Sequence, residues 1–523
     1  MKKVIFVSLI TVMIISLAMF GFVSCGNNRT GQTQITTTDD KTGGVLRIVT
    51  GQNPAVVGYP PEVTTNAHIQ YLRCAYESLL FFDEEGRLIP QLAESWEVDA
   101  ENAVITFKLR TGVKFSDGTD FNAEAVRFNI RLYQERGRTE VANIDSVECP
   151  DNYTVVVNLR SWVSSSLELI GFFVYYMSPT AFQANGIEWA RANSAGTGPF
   201  VVDRFQQGVS VGYVKNDLYR EEGRPYLDAI QYTIIAEPAT IINAFLANEA
   251  DMISYANLDQ RREVASISNV QIVTNRNGVG AEAMGIIPSS ADPGSPFYDA
   301  RVRRAFRYAI DTDTIVRALG FGMHTRTNQW ASPDSLTFNP NVSWYTYNPE
   351  RARQLLAEAG FANGFNTVFY TGAAMETWAT AVSANLEAVG IRAAIEIIDG
   401  PRGNDIMANG WEGIYYHFNS VGPDLGLFMG RHLDPDGAFY AAGIQHPEDS
   451  LDLLRRIREA RDTETKLRLE HEMQTLIYDV YALFGEPLYM NTVHIIKYDY
   501  VQDDNFTIYH AAAWTPAIVW LNR

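Results

Sequence analysis

The sequence predicts an α/β protein of two or three large domains, and three observations carry that expectation. The chain has 523 residues, 46% of them hydrophobic and 20% charged, which is enough apolar side chain for more than one core at roughly 100 to 200 residues per domain. Residues 103–110, AVITFKLR, alternate Ile105, Phe107 and Leu109 with Thr106, Lys108 and Arg110, the period of a half-buried strand. Residues 347–360, YNPERARQLLAEAG, instead carry helical spacing between a start and a stop signal.

The elements follow in chain order. Lys2 and Lys3 precede an apolar tract from Val4 to Val23, closed by Ser24 and Cys25. This predicts a secretory signal over residues 1–24. The small residue before cysteine resembles the bacterial lipobox, in which the cysteine is lipidated and becomes the mature N-terminus, although Phe22 stands where leucine is usual. An uncleaved anchor is the alternative, because about 20 apolar residues span a bilayer. No later segment approaches 18 consecutive apolar residues, so the remainder is expected outside the inner membrane. Residues 25–43, rich in Asn, Thr, Gln, Gly and Asp, read as a flexible linker.

Folding should begin at the strand Val45 to Thr50. After the strand at 103–110, Ser116-Asp117-Gly118 marks a turn. Asn122 then offers an N-cap to a helix with Val126, Ile130 and Tyr133 on one face and Gly137 as its stop. Residues 154–160, TVVVNLR, form another strand. Further on, Val302, Ala305, Phe306, Ala309 and Ile310 share a helical face, and Asp311 caps a second helix that Gly320 closes. In the helix of residues 347–360, Asn348 caps, Pro349 fits the first turn, Leu355, Leu356 and Ala359 form the buried stripe, and Gly360 terminates it. There is no internal repeat of fixed period.

Composition and motif content exclude several chemistries. The net charge of −19, from 42 basic and 61 acidic residues, argues against nucleic acid as the partner, since phosphate binding needs clustered Lys and Arg. The three cysteines, Cys25, Cys74 and Cys149, are too few for a disulfide scaffold or a Cys-rich zinc site. Whether Cys74 and Cys149 pair stays open, because backbone geometry decides it. No nucleophile elbow, Walker loop, H-E-x-x-H or Rossmann fingerprint is read. His417, His432 and His446 are spread too widely for a helical zinc site, and Asp434-Pro435-Asp436-Gly437 reads as a turn rather than a calcium loop. Neither a metal nor a cofactor is therefore expected. Aromatic residues are abundant, 27 Phe, 26 Tyr and 9 Trp, and cluster at Phe172, Phe173, Tyr175 and Tyr176 and again at Trp411, Tyr415, Tyr416, His417 and Phe418. Such side chains suit either a pocket that grips a polar solute or a packed core, and the strand IYYHF should turn alternate residues inward.

Residues 76–130, from YESLLFFDEEGRLIPQLAESWEV to AEAVRFNI, closely resemble the family 5 extracellular solute-binding proteins of ATP-driven importers, the group of oligopeptide, dipeptide and nickel binders. GTGPF (196–200), YREEGRPYLDAI (219–230), FLANEADM (245–252), DARVRRAFRYAIDTDTIV (299–316) and YNPERARQLLAEAGF (347–361) extend the resemblance in order along the chain. It implies a type II, cluster C-like periplasmic-binding-protein clamp. Lobe I would comprise 44–277 plus 488–523, with an inserted subdomain near 86–195, and lobe II 278–487. It also implies a monomeric binding lipoprotein, anchored through Cys25 on the cell envelope, that is not an enzyme and delivers its ligand to an ABC permease.

For the ligand, the resemblance implies a peptide. In peptide-binding members an aspartate in a G-D-x-G-D-P-D-like stretch holds the α-ammonium. Residues 417–426, HFNSVGPDLG, match its end at Pro423 and Asp424 but carry Ser420 or Val421 at the earlier aspartate. An oligosaccharide is the alternative, with Trp330 and Trp411 as stacking platforms. A nickel or opine binder, an envelope hydrolase and a sensor that does not import are further readings. The ligand-binding residues implied are Tyr175, Tyr176, Trp330, Trp411, Tyr416, His417, Asn419 and Asp424.

Overall fold

The computed structural model of the chain describes residues 41–83, 86–274, 281–421, 424–435, 437, 439–491, 494–503 and 514–523. Residues 41–523 form one compact unit. Two mixed sheets divide it. The first has seven strands in the order Val270–Thr274, His494–Tyr498, Met252–Ser254, Val45–Thr50, Ala229–Ile234, Ser210–Lys215 and Phe200–Gln206. The second has six, Thr325–Arg326, Glu486–Asn491, Ala281–Pro288, Ile414–Val421, Phe365–Thr371 and Ile391–Ile397. The chain passes from the first sheet to the second between Thr274 and Ala281 and returns between Asn491 and His494. The strand Glu486–Asn491 thus still belongs to the second sheet, and the return falls after it rather than at residue 488. We refer to the bodies built on the two sheets as lobe I and lobe II.

A third, antiparallel sheet orders the strands Ala93–Asp99, Val104–Leu109, Thr154–Leu159 and Ile144–Asp151. Its alternation is visible in burial, with Ile105, Phe107 and Leu109 at 0%, 0% and 1% exposure and Lys108 exposed. Those side chains pack on Val126, Ile130 and Tyr133 of the helix Ala123–Glu135 in a core separate from that of the seven-stranded sheet. Burial of this periodic face, at about 25 cal/mol per Å² of apolar surface, is what joins helix to sheet.

Local start signals behave as expected. Asn122 accepts a hydrogen bond from the Ala125 N–H at 3.0 Å, Asp311 from Thr314 at 3.1 Å, and Asn348 from Arg351 at 2.9 Å ahead of Pro349. Gly360 takes φ +92° just past its helix. The GTGPF segment has a steric origin: a Cβ on Gly196 would lie 2.1 Å from the Ala75 carbonyl oxygen, so only glycine lets this loop lie on the end of the helix Asn66–Ala75. Cys74 is buried within that helix and Cys149 half-buried on an edge strand, and both are free thiols. Among the described residues no helix is long and apolar enough to cross a membrane.

Candidate functional site

The strand Ile414–Val421 lies in the middle of the six-stranded sheet, paired with Ala281–Pro288 and Phe365–Thr371. Side chains from both faces of the strand are covered: Ile414, Tyr416 and His417 are buried and Tyr415 is half-buried. Ile414 and Tyr416 enter one core with Phe306 and Leu356. Tyr415 and His417 face the other, which holds Trp330 and Trp411. Trp330 is 0% exposed and packs on His417, His432, Phe428 and Phe484 at ring distances of 4.9 to 5.7 Å. Its indole nitrogen has no hydrogen-bond partner among the described residues, and Gly285 lets it in close, since a Cβ there would stand 2.8 Å from that nitrogen. Trp411 donates from Nε1 to the Ile287 carbonyl at 3.3 Å.

His417 and His432 face each other, Nε2 to Nε2, at 3.2 Å. Burial holds both imidazoles well below the usual histidine range, His432 down to about 4, so both are neutral. His432 Nδ1 lies 3.1 Å from the Phe428 carbonyl, which can only accept. The proton of His432 is therefore on Nδ1, its Nε2 accepts, and His417 Nε2–H donates. Among the described residues no group of three or more His, Cys, Asp or Glu side chains converges as a metal site.

Asp424 is 2% exposed and caps the helix Leu425–Leu433, accepting from the Leu427 N–H at 2.8 Å. Its other oxygen meets Lys466 Nζ at 2.6 Å. Glu470, one turn beyond Lys466 on the helix Thr463–Thr475, accepts from the Gly426 N–H at 2.9 Å through Oε1, while its buried Oε2 has no partner among the described residues. Glu168, on the helix Ser166–Phe173, lies within electrostatic reach of Asp424, Lys466 and Glu470 across the seam between that helix and lobe II. Burial, reinforced by Asp424, pushes the Glu168 carboxyl up to about 8. Burial does the same to Glu470 against the pull of Lys466. Burial works against the Lys466 ammonium, but Asp424, Glu470 and Glu168 together outweigh it and raise its pKa.

Tyr175 and Tyr176 are adjacent on an extended segment and point into different cores. The Arg73 guanidinium, itself 2% exposed, lies over the Tyr175, Phe172 and Phe81 rings at 4.7, 4.6 and 5.0 Å, a desolvated cation–π arrangement. Tyr176 packs edge-on to Phe121. Asn419 pairs with Ala283 in the sheet, but its side chain lies outside the described residues, as do Pro423 and Cys25. An open groove of about 630 Å³ runs beside Thr119, Asn122, Phe128, Arg131 and Thr180 on the subdomain, and none of the sequence-predicted residues lines it.

The structure thus brings Trp330, Trp411 and His417 together inside lobe II and sets Asp424 at the seam with the subdomain. Tyr175, Tyr176 and Tyr416 lie in three separate cores. Sequence reasoning missed Glu168, Lys466 and Glu470. A signal existed for two of them: Lys466 and Glu470 share a helical face with Met473 and Ile477, which are 0% exposed, so two charges sit on an apolar stripe. Residues 208–212, Gly-Val-Ser-Val-Gly, have the spacing of a nucleophile elbow. They run from the turn after the strand Phe200–Gln206 into the strand Ser210–Lys215, with Ser210 already paired in the sheet, not the strand-to-helix turn such a nucleophile needs.

The model of the bacterial extracellular solute-binding proteins, family 5, matches residues 87–439. The glutathione-binding protein GsiB of Shigella flexneri is 29% identical over 345 residues, 64% of this chain and 66% of its own length. The heme-binding protein A of Haemophilus influenzae is 28% identical over 380 residues, 66% of this chain and 67% of its own. In structure the chain is similar to the periplasmic binding protein DppA of Helicobacter pylori, solved in complex with the peptide STSA, with a TM-score of 0.72 and 21% identity over 93% of this chain and 99% of that one.

Proposed function

Because the chain belongs to the bacterial extracellular solute-binding proteins of family 5, we propose that it captures peptides between its two lobes and hands them, as a monomer, to the membrane permease of an ABC importer. The structural observation that supports a clamp is the connection of two separate sheets by only two chain crossings, between Thr274 and Ala281 and between Asn491 and His494. Two adjacent crossings form a hinge, and ligand that binds the closed arrangement better shifts the population toward it. In this reading lobe I spans residues 44–277 and the C-terminal return, with its subdomain near 86–195, and lobe II fills the interval.

The peptide class is supported by what similar proteins bind: glutathione for GsiB and STSA for DppA. An oligosaccharide would need exposed stacking platforms, whereas Trp330 and Trp411 are 0% and 7% exposed inside lobe II. Export with lipidation at Cys25 would place the protein on the outer side of a membrane, and the ligand would leave chemically unchanged. Native mass spectrometry of the protein isolated from cell envelopes tests the peptide class. Adducts that fragment as peptides support it, and a homogeneous non-peptide adduct that peptides cannot displace contradicts it.

A further inference from the structure

We propose that residues Trp162 to Glu168 of the subdomain are a latch that holds lobe I on lobe II, capping the C-terminal end of the helix Glu448–Glu459 and setting Glu168 against Asp424, Lys466 and Glu470. This rests on the two-lobed reading above and names the residues that maintain closure.

The last carbonyls of a helix have no intrahelical donors and must find partners elsewhere. Here the donors come from the other lobe. Ser164 donates through its N–H to the Arg458 carbonyl at 2.7 Å and through Oγ–H to the Ile457 carbonyl at 2.9 Å. The Trp162 indole N–H donates to the Ala460 carbonyl at 2.9 Å. Trp162 itself packs on the subdomain core, so the donor is carried by a rigid body. When the lobes separate, water must take all three places. A hydrogen bond exchanged with water changes such an equilibrium by about two- to tenfold, so three together bias the clamp appreciably.

Glu168 adds a proton to the same movement. The groups around it are Asp424, which caps the helix Leu425–Leu433, and Lys466 and Glu470 on the helix Thr463–Thr475. Arg431 lies within electrostatic reach of Asp424 and of the subdomain's Glu140, Arg458 is engaged by Asp434 at 2.6 Å, and Arg461 stands 4.0 Å from Glu101. Asp424 thus touches Lys466 while Glu168 and Glu470 lie within its electrostatic reach, and one buried carboxylate oxygen of Glu470 has no partner among the described residues. Closing the seam removes water from Glu168, whose carboxyl burial and Asp424 push up to about 8, above the ordinary glutamate value near 4.3. A group whose pKa is higher in the closed state favours closure fully below its open-state value. That contribution is lost as pH rises through the closed-state value. The latch therefore takes up protons on closing and weakens between about pH 4.3 and pH 8.

Pulsed electron–electron resonance between spin labels on Asp217→Cys in lobe I and Glu387→Cys in lobe II, in a Cys149→Ser background, reads the closed population with and without a peptide mixture. The expected result is a short-distance population in the parent protein that shrinks from pH 5 to pH 8. Trp162→Phe with Ser164→Ala should cut the closed-to-open ratio on the order of tenfold at unchanged melting temperature. Glu168→Gln should flatten the pH dependence. Equal distance distributions in parent and Trp162→Phe/Ser164→Ala proteins would overturn the latch, as would a parent that shows no short distance under any condition. Failure of every peptide to bind would count against the peptide reading, while distances in the unliganded protein still decide the latch.

Discussion

Asp424 and Lys466, 42 residues apart in sequence, form a 2.6 Å ion pair in which the carboxylate also caps a helix, so one side chain fixes both a helix start and the lobe II side of the seam.

For Asp424 itself, alanine removes both the cap and the partner of a buried ammonium. Urea unfolding should show Asp424→Ala destabilised by about 3 kcal/mol or more, the cost of breaking a buried pair. Asn is as good an N-cap as Asp, so Asp424→Asn should be less damaging by about 1 kcal/mol. If the two variants unfold alike, the cap contributes nothing.

Gly285 and Trp330 should be energetically coupled. Gly285→Ala forces a methyl to 2.8 Å from the indole nitrogen and should cost about 1–3 kcal/mol by overpacking. In a Trp330→Phe background, which removes that nitrogen, the same substitution should cost distinctly less. Additive effects in the double-mutant cycle would place the strain elsewhere.

Near the crossings, Arg261 donates to His494 Nε2 at 2.6 Å, and His494 Nδ1–H donates to Thr274 Oγ1 at 2.9 Å. Burial, with Arg261 beside it, holds His494 down to about 3, and burial holds His324 down to about 4. A histidine whose folded pKa lies below its unfolded value near 6.5 stabilises the fold above 6.5, and that stability is lost as pH falls toward the folded value. The unfolding free energy from urea titration should therefore decline between pH 6.5 and pH 4, by at most about 1.4 kcal/mol per histidine per pH unit. His494→Gln should lessen the decline, and an unchanged slope would contradict the assignment.

Replacement of Cys25 by Ala should release the protein from the membrane fraction if the cysteine carries its lipid. Continued membrane association of Cys25→Ala would favour the uncleaved anchor instead.

Local chemistry was legible in the sequence because its causes are local. Asn122, Asp311 and Asn348 announce helix starts through side chains that reach only three residues, and Ile105, Phe107 and Leu109 announce a strand through alternation. The pattern of residues 414–418, IYYHF, predicts that alternate side chains turn inward. Both faces are covered, so Tyr416 and His417 are both buried, and no pattern within eight residues could report a second covering layer. The seam was invisible for a stronger reason. Glu168 is brought to Asp424 and Glu470 by the approach of two bodies, and nothing in its sequence neighbourhood marks it as their partner. Only Lys466 and Glu470, charges placed on a buried helical stripe, left a trace.

The claim that this chain is a peptide-capturing clamp is tested most directly by thermal denaturation against di- to pentapeptides and, in parallel, oligosaccharides. A bound ligand stabilises the folded state by RT ln(1 + [L]/Kd), about 2.7 kcal/mol at a hundredfold excess over Kd. A saturable rise in melting temperature with peptides and none with sugars is expected; a rise with sugars and none with peptides would overturn the peptide assignment.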